Sequence, residues 1–431
     1  MPNFRHTLVL SVCLSLPGMG AHATPVLTVL HAFINTDGAN PAAALHFDAS
    51  GNLYGTTTAG GTSTDCEGAS CGLVFELSPP KKNQKTWSEA VLTEFTGING
   101  AYPTADLIAD ASGNLYSTTH AGGTATACPL GCGTVYELSP PATGQTAWTQ
   151  ATLTSFGGAP GELPTAGLIA DAAGNLYGTL ADTGATDFGN IFELSPPATG
   201  KTGWKQSILT KFPKATGWYP FGALLADSAG NLYGTTYAGG ASTTCLGGCG
   251  TIYELSPPAT GQTAWTQTTL FTFTGTTGAG PEANLIADSS GKLYGTTYAG
   301  GTAGYGTIFR LTPPVTGQTV WTQTTLFSFT GANGQGPTTG LIADSSGNLY
   351  GTTEYGGTAE DGTIFELSPP AKGKTAYTQT VLISFTGTNG ANPVSNLIAD
   401  SAGNLYGTTY FGGPAKACEY PGCGVVFELA P

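Results

Sequence analysis

A hexapeptide of the form GNLYGT recurs seven times, and no other feature of the chain restricts its fold so tightly. Its first glycine is Gly51, Gly113, Gly174, Gly230, Gly291, Gly347 and Gly403, at steps of 62, 61, 56, 61, 56 and 56 residues. Lys292 replaces the asparagine once and Ser117 the second glycine once. Each unit contains four short runs of strand character, punctuated by Gly, Pro, Asn and Ser. In the fifth unit they are a (283–288), b (292–298), c (307–311) and d (321–329). The Asp288 to Gly291 turn joins a to b as a hairpin, with Gly where a positive φ is cheap, and Pro313-Pro314 stops the sheet after c because proline cannot donate to a ladder.

A four-stranded unit of this length is too long for one solenoid coil and matches a propeller blade. Seven units therefore predict an all-β, seven-bladed β-propeller. The chain opens with a lone d-like run at 26–33 and stops after a c-like run at 425–429. One end supplies what the other lacks, so the ring should close by pairing the N-terminal strand with the last blade, leaving no radial edge to aggregate. One propeller domain over 24–431 is expected.

Composition agrees. With 65 Gly, 28 Pro, 9% charged and 40% apolar residues, the chain is neither a charged disordered polymer nor a coiled coil. The net charge of −14 repels phosphate backbones and anionic lipid, which argues against nucleic acid as a partner. Residues 1–23 read as a secretory signal, with Arg5, an apolar run over 8–16 and Ala21-His22-Ala23 before Thr24. Cys13 follows Val12 within that run, which is the wrong context for lipid attachment. No later stretch has the length of apolar sequence that a membrane span needs. Cleavage after Ala23 and export, to the periplasm or the outside, are expected.

Two acidic columns account for nearly half of the 27 acids. Asp48, Asp110, Asp171, Asp227, Asp288, Asp344 and Asp400 precede the a-b turn, where a carboxylate can accept backbone N–H groups. Glu76, Glu137, Glu193, Glu254, Glu366 and Glu428 lie in strand c, with Arg310 as the exception, and suit hydrogen bonds between blades. Trp87, Trp148, Trp204, Trp265, Trp321 and Tyr377 open strand d and read as outer-blade packing.

Eight cysteines form four close pairs in b-c loops: Cys66/Cys71, Cys128/Cys132, Cys245/Cys249 and Cys418/Cys423. The units lacking a pair are those followed by a 56-residue step, so each pair comes and goes as one insertion. Four intra-loop disulfides fit an exported chain. A zinc site shared between loops would strand Cys245 and Cys249 without partners, and no metal or other cofactor is expected.

In propeller geometry the b-c and d-a loops open on one face, here a rim rich in amides, hydroxyls and tyrosines. Because every blade shares the same structural needs, departures from the repeat are the best pointers to a site. The column after GTT reads Thr58, His120, Ala181, Tyr237, Tyr298, Glu354 and Tyr410, with Asp182 after Ala181. His120, Asp182 and Glu354 are the candidate acid and base groups, should the chain be an enzyme. The column before the d-a proline reads Asn40, Tyr102, Leu163, Tyr219, Gly280, Gly336 and Asn392, with Trp218 beside Tyr219. Tyr102, Trp218, Tyr219, Tyr237, Tyr298 and Tyr410 are the candidate ligand contacts, their rings suited to sugar faces, with rim packing as the alternative. The string Gly68-Ala-Ser70-Cys-Gly72 matches GxSxG but lacks the strand-to-helix elbow that gives the motif its chemistry.

The strings LIADSSGNLYGTT, YAGGT, GTIFELSPP and FTGxNGAxP resemble the GloVer tandem repeat of exported bacterial proteins, over essentially all of residues 26–431. The resemblance implies repeated β units, a surface or extracellular location and no established activity. Members often end in a sorting or anchoring tail, from which this chain departs by ending at Pro431. A weaker similarity to kelch blades lies in the Gly pair after strand b and the Trp opening strand d. The combined expectation is a secreted, monomeric, noncatalytic binding module for a neutral glycan or an extracellular protein. The alternative is an extracellular glycoside hydrolase or polysaccharide lyase with its site on the funnel face.

Overall fold

The computed structural model describes residues 24–66, 70–157, 163–181, 188–414, 418 and 422–431. The expected signal segment and Asp182 lie outside the described residues. Seven four-stranded antiparallel sheets form the seven blades of a β-propeller. Blade 5 is representative, with strands a (Ile286–Ala287), b (Leu293–Thr297), c (Thr307–Thr312) and d (Thr322–Ser328). Strand a is much shorter than the sequence suggests. The residues before it turn toward the axis and leave the ladder.

The last blade closes as expected. Val26–Ala32 pairs antiparallel with Val425–Ala430 as the outer strand of blade 7, from Val26 opposite Ala430 to Ala32 opposite Val425. In every blade the c-d ladder slips by one residue at the same place, as between Ile308 and Phe309. The extra leucine of each bulge, such as Leu326 or Leu30, packs into a cluster between blades. A bulge also adds local twist, which the outer strand of a blade requires.

Packing between blades repeats a single contact. The phenylalanine just beyond each d strand is buried and meets the strand c ring of the next blade. Phe33–Phe75, Phe95–Tyr136, Phe273–Phe309 and Phe385–Phe427 have centroid separations of 5.1, 5.1, 5.1 and 5.5 Å. The second glycine of the repeat makes room for that ring, because a Cβ at Gly295 would stand 2.8 Å from Phe309 Cζ. The Trp column packs across the same seams, as where Trp148 meets Tyr54 at 5.9 Å.

The Asp column builds the turns. In blade 1, Asp48 Oδ1 accepts the N–H groups of Ser50 and Asn52 at 2.8 and 2.9 Å, and Oδ2 accepts from Asn52 Nδ2 and the Tyr54 hydroxyl. Where Lys292 replaces the asparagine, its ammonium stands 3.8 Å from Asp288 Oδ2. The Glu column differs from expectation, because its bonds stay inside the blade. Glu76, Glu137, Glu193, Glu254 and Glu366 accept from the serine two residues on, and Glu428 accepts from Tyr406 on strand b. Blade-to-blade hydrogen bonds come instead from a strand b threonine, as in Thr56 Oγ1 to the Pro103 carbonyl and Thr296 Oγ1 to the Thr339 carbonyl. A glutamate faces its own cross-strand tyrosine, while the threonine stands closer to the axis, where blades converge.

Candidate functional site

The two variable columns of the rim prove to be backbone partners. Asn40, Tyr102, Leu163, Tyr219, Gly280, Gly336 and Asn392 all adopt φ between 54° and 64°. The carbonyl of each accepts the N–H of the post-b residue in its own blade, as in His120 to Tyr102 at 3.1 Å, Tyr237 to Tyr219 at 2.9 Å and Glu354 to Gly336 at 3.0 Å. Its own N–H donates into the b-c loop of the preceding blade. Four acceptors are the second cysteine of a pair, Cys71, Cys132, Cys249 and Cys423, and the other three are Phe188, Tyr305 and Asp361. All four cysteine pairs are disulfide-bonded, with Cα atoms 5.1 to 5.5 Å apart. Each staple thus steadies the loop that holds the next blade's rim residue.

Side-chain volume is shared between the two columns across blade junctions. The Tyr237 ring lies over Gly280 of the next loop, where a Cβ would come 2.8 Å from the ring, and Tyr298 lies over Gly336 at 3.0 Å. Where the post-b residue is the small Ala181, the next loop carries Tyr219. Rim packing therefore accounts for part of the tyrosine pattern. It does not account for the rings that gather at blades 3 and 4. Phe188 meets Trp218 edge-on at 4.9 Å, and Trp218 stacks on Tyr219 at 5.3 Å and 27°. Tyr219 stacks on Phe221 at 5.5 Å and 8°, and Phe221 meets Tyr237 at 5.8 Å. The Lys214 ammonium stands 4.9 Å over Trp218, a cation–π contact on its outer side. The five rings make a continuous, half-buried row from the rim to the axis.

The row ends at an axial cavity of about 210 Å³. Phe221, Glu282, Thr104, Thr165 and Thr338 line its wall, and Asp106, Asn284 and Asn396 border it. Burial pushes the Glu282 carboxyl up to about 8, and the nearby Glu354 charge adds to the effect. Burial likewise raises Glu354, against a hydrogen bond from the Tyr355 hydroxyl. That bond helps to lift the Tyr355 phenol to about 12. Tyr237 and Tyr298 are raised first by burial and then by these carboxylates. Blades 4, 5 and 6 thus bring Tyr237, Tyr298, Tyr355, Glu282 and Glu354 into one electrostatic group. Asp106 lies deep within the ring, where desolvation raises its carboxyl despite bonds from the Ala44 N–H and the Asn396 amide.

The other candidates stand apart from this group. Burial lowers the His120 imidazole, which favours its neutral form. Tyr102 is half-buried against the blade 1–2 cluster, and Tyr410 meets Phe411 edge-on at 4.7 Å. Sequence reasoning missed Glu282, Phe221 and the three polar residues at the floor. The signal was present in the column after the d-a proline, which reads Ala42, Thr104, Thr165, Phe221, Glu282, Thr338 and Val394. Among the described residues no three His, Cys, Asp or Glu side chains gather as a metal site would require.

The pattern of the Gloeobacter/Verrucomicrobia repeat matches residues 20–169, 64–264 and 164–421. No curated protein matches the sequence. Among solved structures, the soluble aldose sugar dehydrogenase of Escherichia coli is 13% identical, with TM-score 0.44 over 95% of this chain and 100% of that one. A puromycin-hydrolyzing peptidase of Mycobacterium tuberculosis is 11% identical, with TM-score 0.43 over 96% and 63%. The NanB sialidase of Streptococcus pneumoniae is 12% identical, with TM-score 0.40 over 94% and 70%. Likenesses this distant lend no weight to any activity.

Proposed function

The chain belongs to the Gloeobacter/Verrucomicrobia repeat family, and from that premise and the geometry of the axial mouth we propose that it is an exported, noncatalytic module that binds a neutral polysaccharide. The row from Phe188 to Tyr237 carries the reading. The exposed ring edges of this stack, beside hydroxyl and amide groups, suit a sugar ring, which has apolar C–H patches and a polar edge. The four disulfides fit an oxidising compartment, to which the segment 1–23 would direct the chain. Among the described residues no helix is long and apolar enough to cross a membrane.

Glycan cleavage is the second reading, and the Glu282/Glu354 pair favours it. Glycosidase chemistry wants one carboxylate ionised as nucleophile or base beside one protonated acid. Glu282, raised to about 8 beside the Glu354 charge, matches the acid of such a pair, and it is the aromatic row that favours holding over cutting. A glycan array probed with protein from Thr24 onward tests the reading. Binding to neutral glycans is expected, and Trp218→Ala with Tyr219→Ala should weaken it about tenfold or more. An array blank across neutral sugars would refute binding, and new reducing ends released from a bound glycan would move the reading to the hydrolase.

A further inference from the structure

We infer that the axial mouth takes the end of a glycan chain and not an interior stretch. The inference rests on the glycan reading and on what closes the cavity below. The residues before the leucine of each LIAD-like string, in order Ala44, Asp106, Gly167, Ala223, Asn284, Gly340 and Asn396, all border the axial space. The three polar members each reach back to the same position of the preceding blade. Asp106 Oδ1 accepts the Ala44 N–H at 2.7 Å, Asn284 Oδ1 the Ala223 N–H at 2.6 Å, and Asn396 Oδ1 the Gly340 N–H at 2.5 Å. Asn396 Nδ2 also donates to Asp106 Oδ2 at 3.1 Å, tying blade 7 to blade 2 past blade 1.

Space at this level is used up. A Cβ at Gly340 would stand 3.1 Å from Asn396 Oδ1 and 3.2 Å from Asn284 Cβ, and one at Gly167 would stand 3.1 Å from Asp106 Cβ. Small and polar residues interlock into a floor in which the Ala44, Ala223 and Gly340 N–H groups are satisfied by the Asp106, Asn284 and Asn396 side chains. Below it lies a second chamber of about 380 Å³, walled largely by aliphatic side chains such as Leu107, Leu168, Leu224 and Leu285. A polysaccharide threading the axis would have to break the floor bonds and then bury its hydroxyls unpaired against leucine, which is unfavourable. The cavity above is therefore a dead end. A chain lying along the ring row can put only its last residue there, against Glu282, Thr338 and the floor amides.

Xylohexaose, mannohexaose and cellohexaose, each beside its soluble high-mass counterpart (xylan, glucomannan, mixed-linkage β-glucan), test this by titration calorimetry and sedimentation. For the series that binds, one protein per chain end is expected at every length. Thr338→Trp, which fills the cavity, should weaken hexasaccharide and polymer alike by about tenfold or more. Val394→Trp gives an independent plug from another blade should the first variant not fold. Copies of protein per chain that rise with chain length, or plugged variants that bind as wild type does, would overturn the inference while leaving glycan binding intact. Failure of every probe to bind would remove the glycan reading and this inference with it.

Discussion

Blades 7, 1 and 2 form one arc of the ring and blades 3 to 6 the other, and the two hold the same rim by different means. In the first arc every b-c loop is disulfide-bonded, and a cysteine carbonyl anchors each following rim residue. In the second only blade 4 keeps a staple, while Phe188, Tyr305 and Asp361 stand at the anchoring position of blades 3, 5 and 6. The hydrogen bond is the same throughout. A disulfide fixes the loop from within and adds little to the surface. A ring such as Phe188 fixes it by packing on Trp218 and so becomes part of the aromatic row. The aromatic row and the Glu282/Glu354 pair lie on the arc with fewer staples, where side chains serve both purposes.

Reduction should separate the arcs most sharply. Closing loops of four or five residues contributes about 2 kcal/mol apiece in the chain-entropy account, so reducing all four should lower the melting temperature clearly. Amide exchange is expected to speed up at Asn40, Tyr102, Leu163 and Gly280, whose acceptors are cysteine carbonyls, and to hold at Tyr219, Gly336 and Asn392. Uniform acceleration around the ring would break the comparison.

A smaller effect sharpens it. Gly280→Ala meets both a positive φ and the Tyr237 ring, and should cost about 2–3 kcal/mol in denaturant melts. Asn40→Ala, at the equivalent position of the other arc, meets the backbone penalty and loses the bond from Asn40 Nδ2 to the Tyr410 carbonyl but displaces no ring, and should cost about 1–2 kcal/mol. Adding Tyr237→Ala should recover part of the Gly280→Ala loss. Simple additivity of the two changes would show that ring and glycine do not share their space.

The smallest expected effect concerns pH. Glu282 has a folded pKa near 8 against an ordinary value of 4.5, so between these values the folded chain keeps a proton that the unfolded chain releases. Its contribution is fully present below pH 4.5 and is lost as pH rises through 8. Asp106, raised by burial, acts in the same direction. Glu282→Gln should flatten the decline in melting temperature between pH 5 and 8, on the order of 1–2 kcal/mol. An unchanged slope would mean that the carboxyl is as hydrated as one on the rim of blades 7, 1 and 2.

The repeat made the blades, their number and the closing strand legible, because pairing Val26–Ala32 with Val425–Ala430 is the only use for two incomplete ends. The staples were legible from covarying Cys pairs and step lengths. The axis was not. Its floor reads Ala, Asp, Gly, Ala, Asn, Gly, Asn, an irregular series whose logic appears only when seven blades converge and large side chains alternate with small ones. Strand a is short for the same reason, since 283–285 leave the ladder to line the axis. Glu282 lies in the column just past the d-a proline, beside the variable column that precedes it. For the Glu column, repetition alone does not distinguish a cross-strand neighbour from a neighbouring sheet.

A crystal structure of the protein with a bound neutral oligosaccharide tests the central claim most directly. The expected result is sugar density along Trp218, Tyr219 and Phe221, with the terminal ring above Asp106, Asn284 and Asn396. Sugar density on the rim of blades 7, 1 and 2, or on the opposite face beside Trp204, with the axial cavity left to solvent, would contradict it.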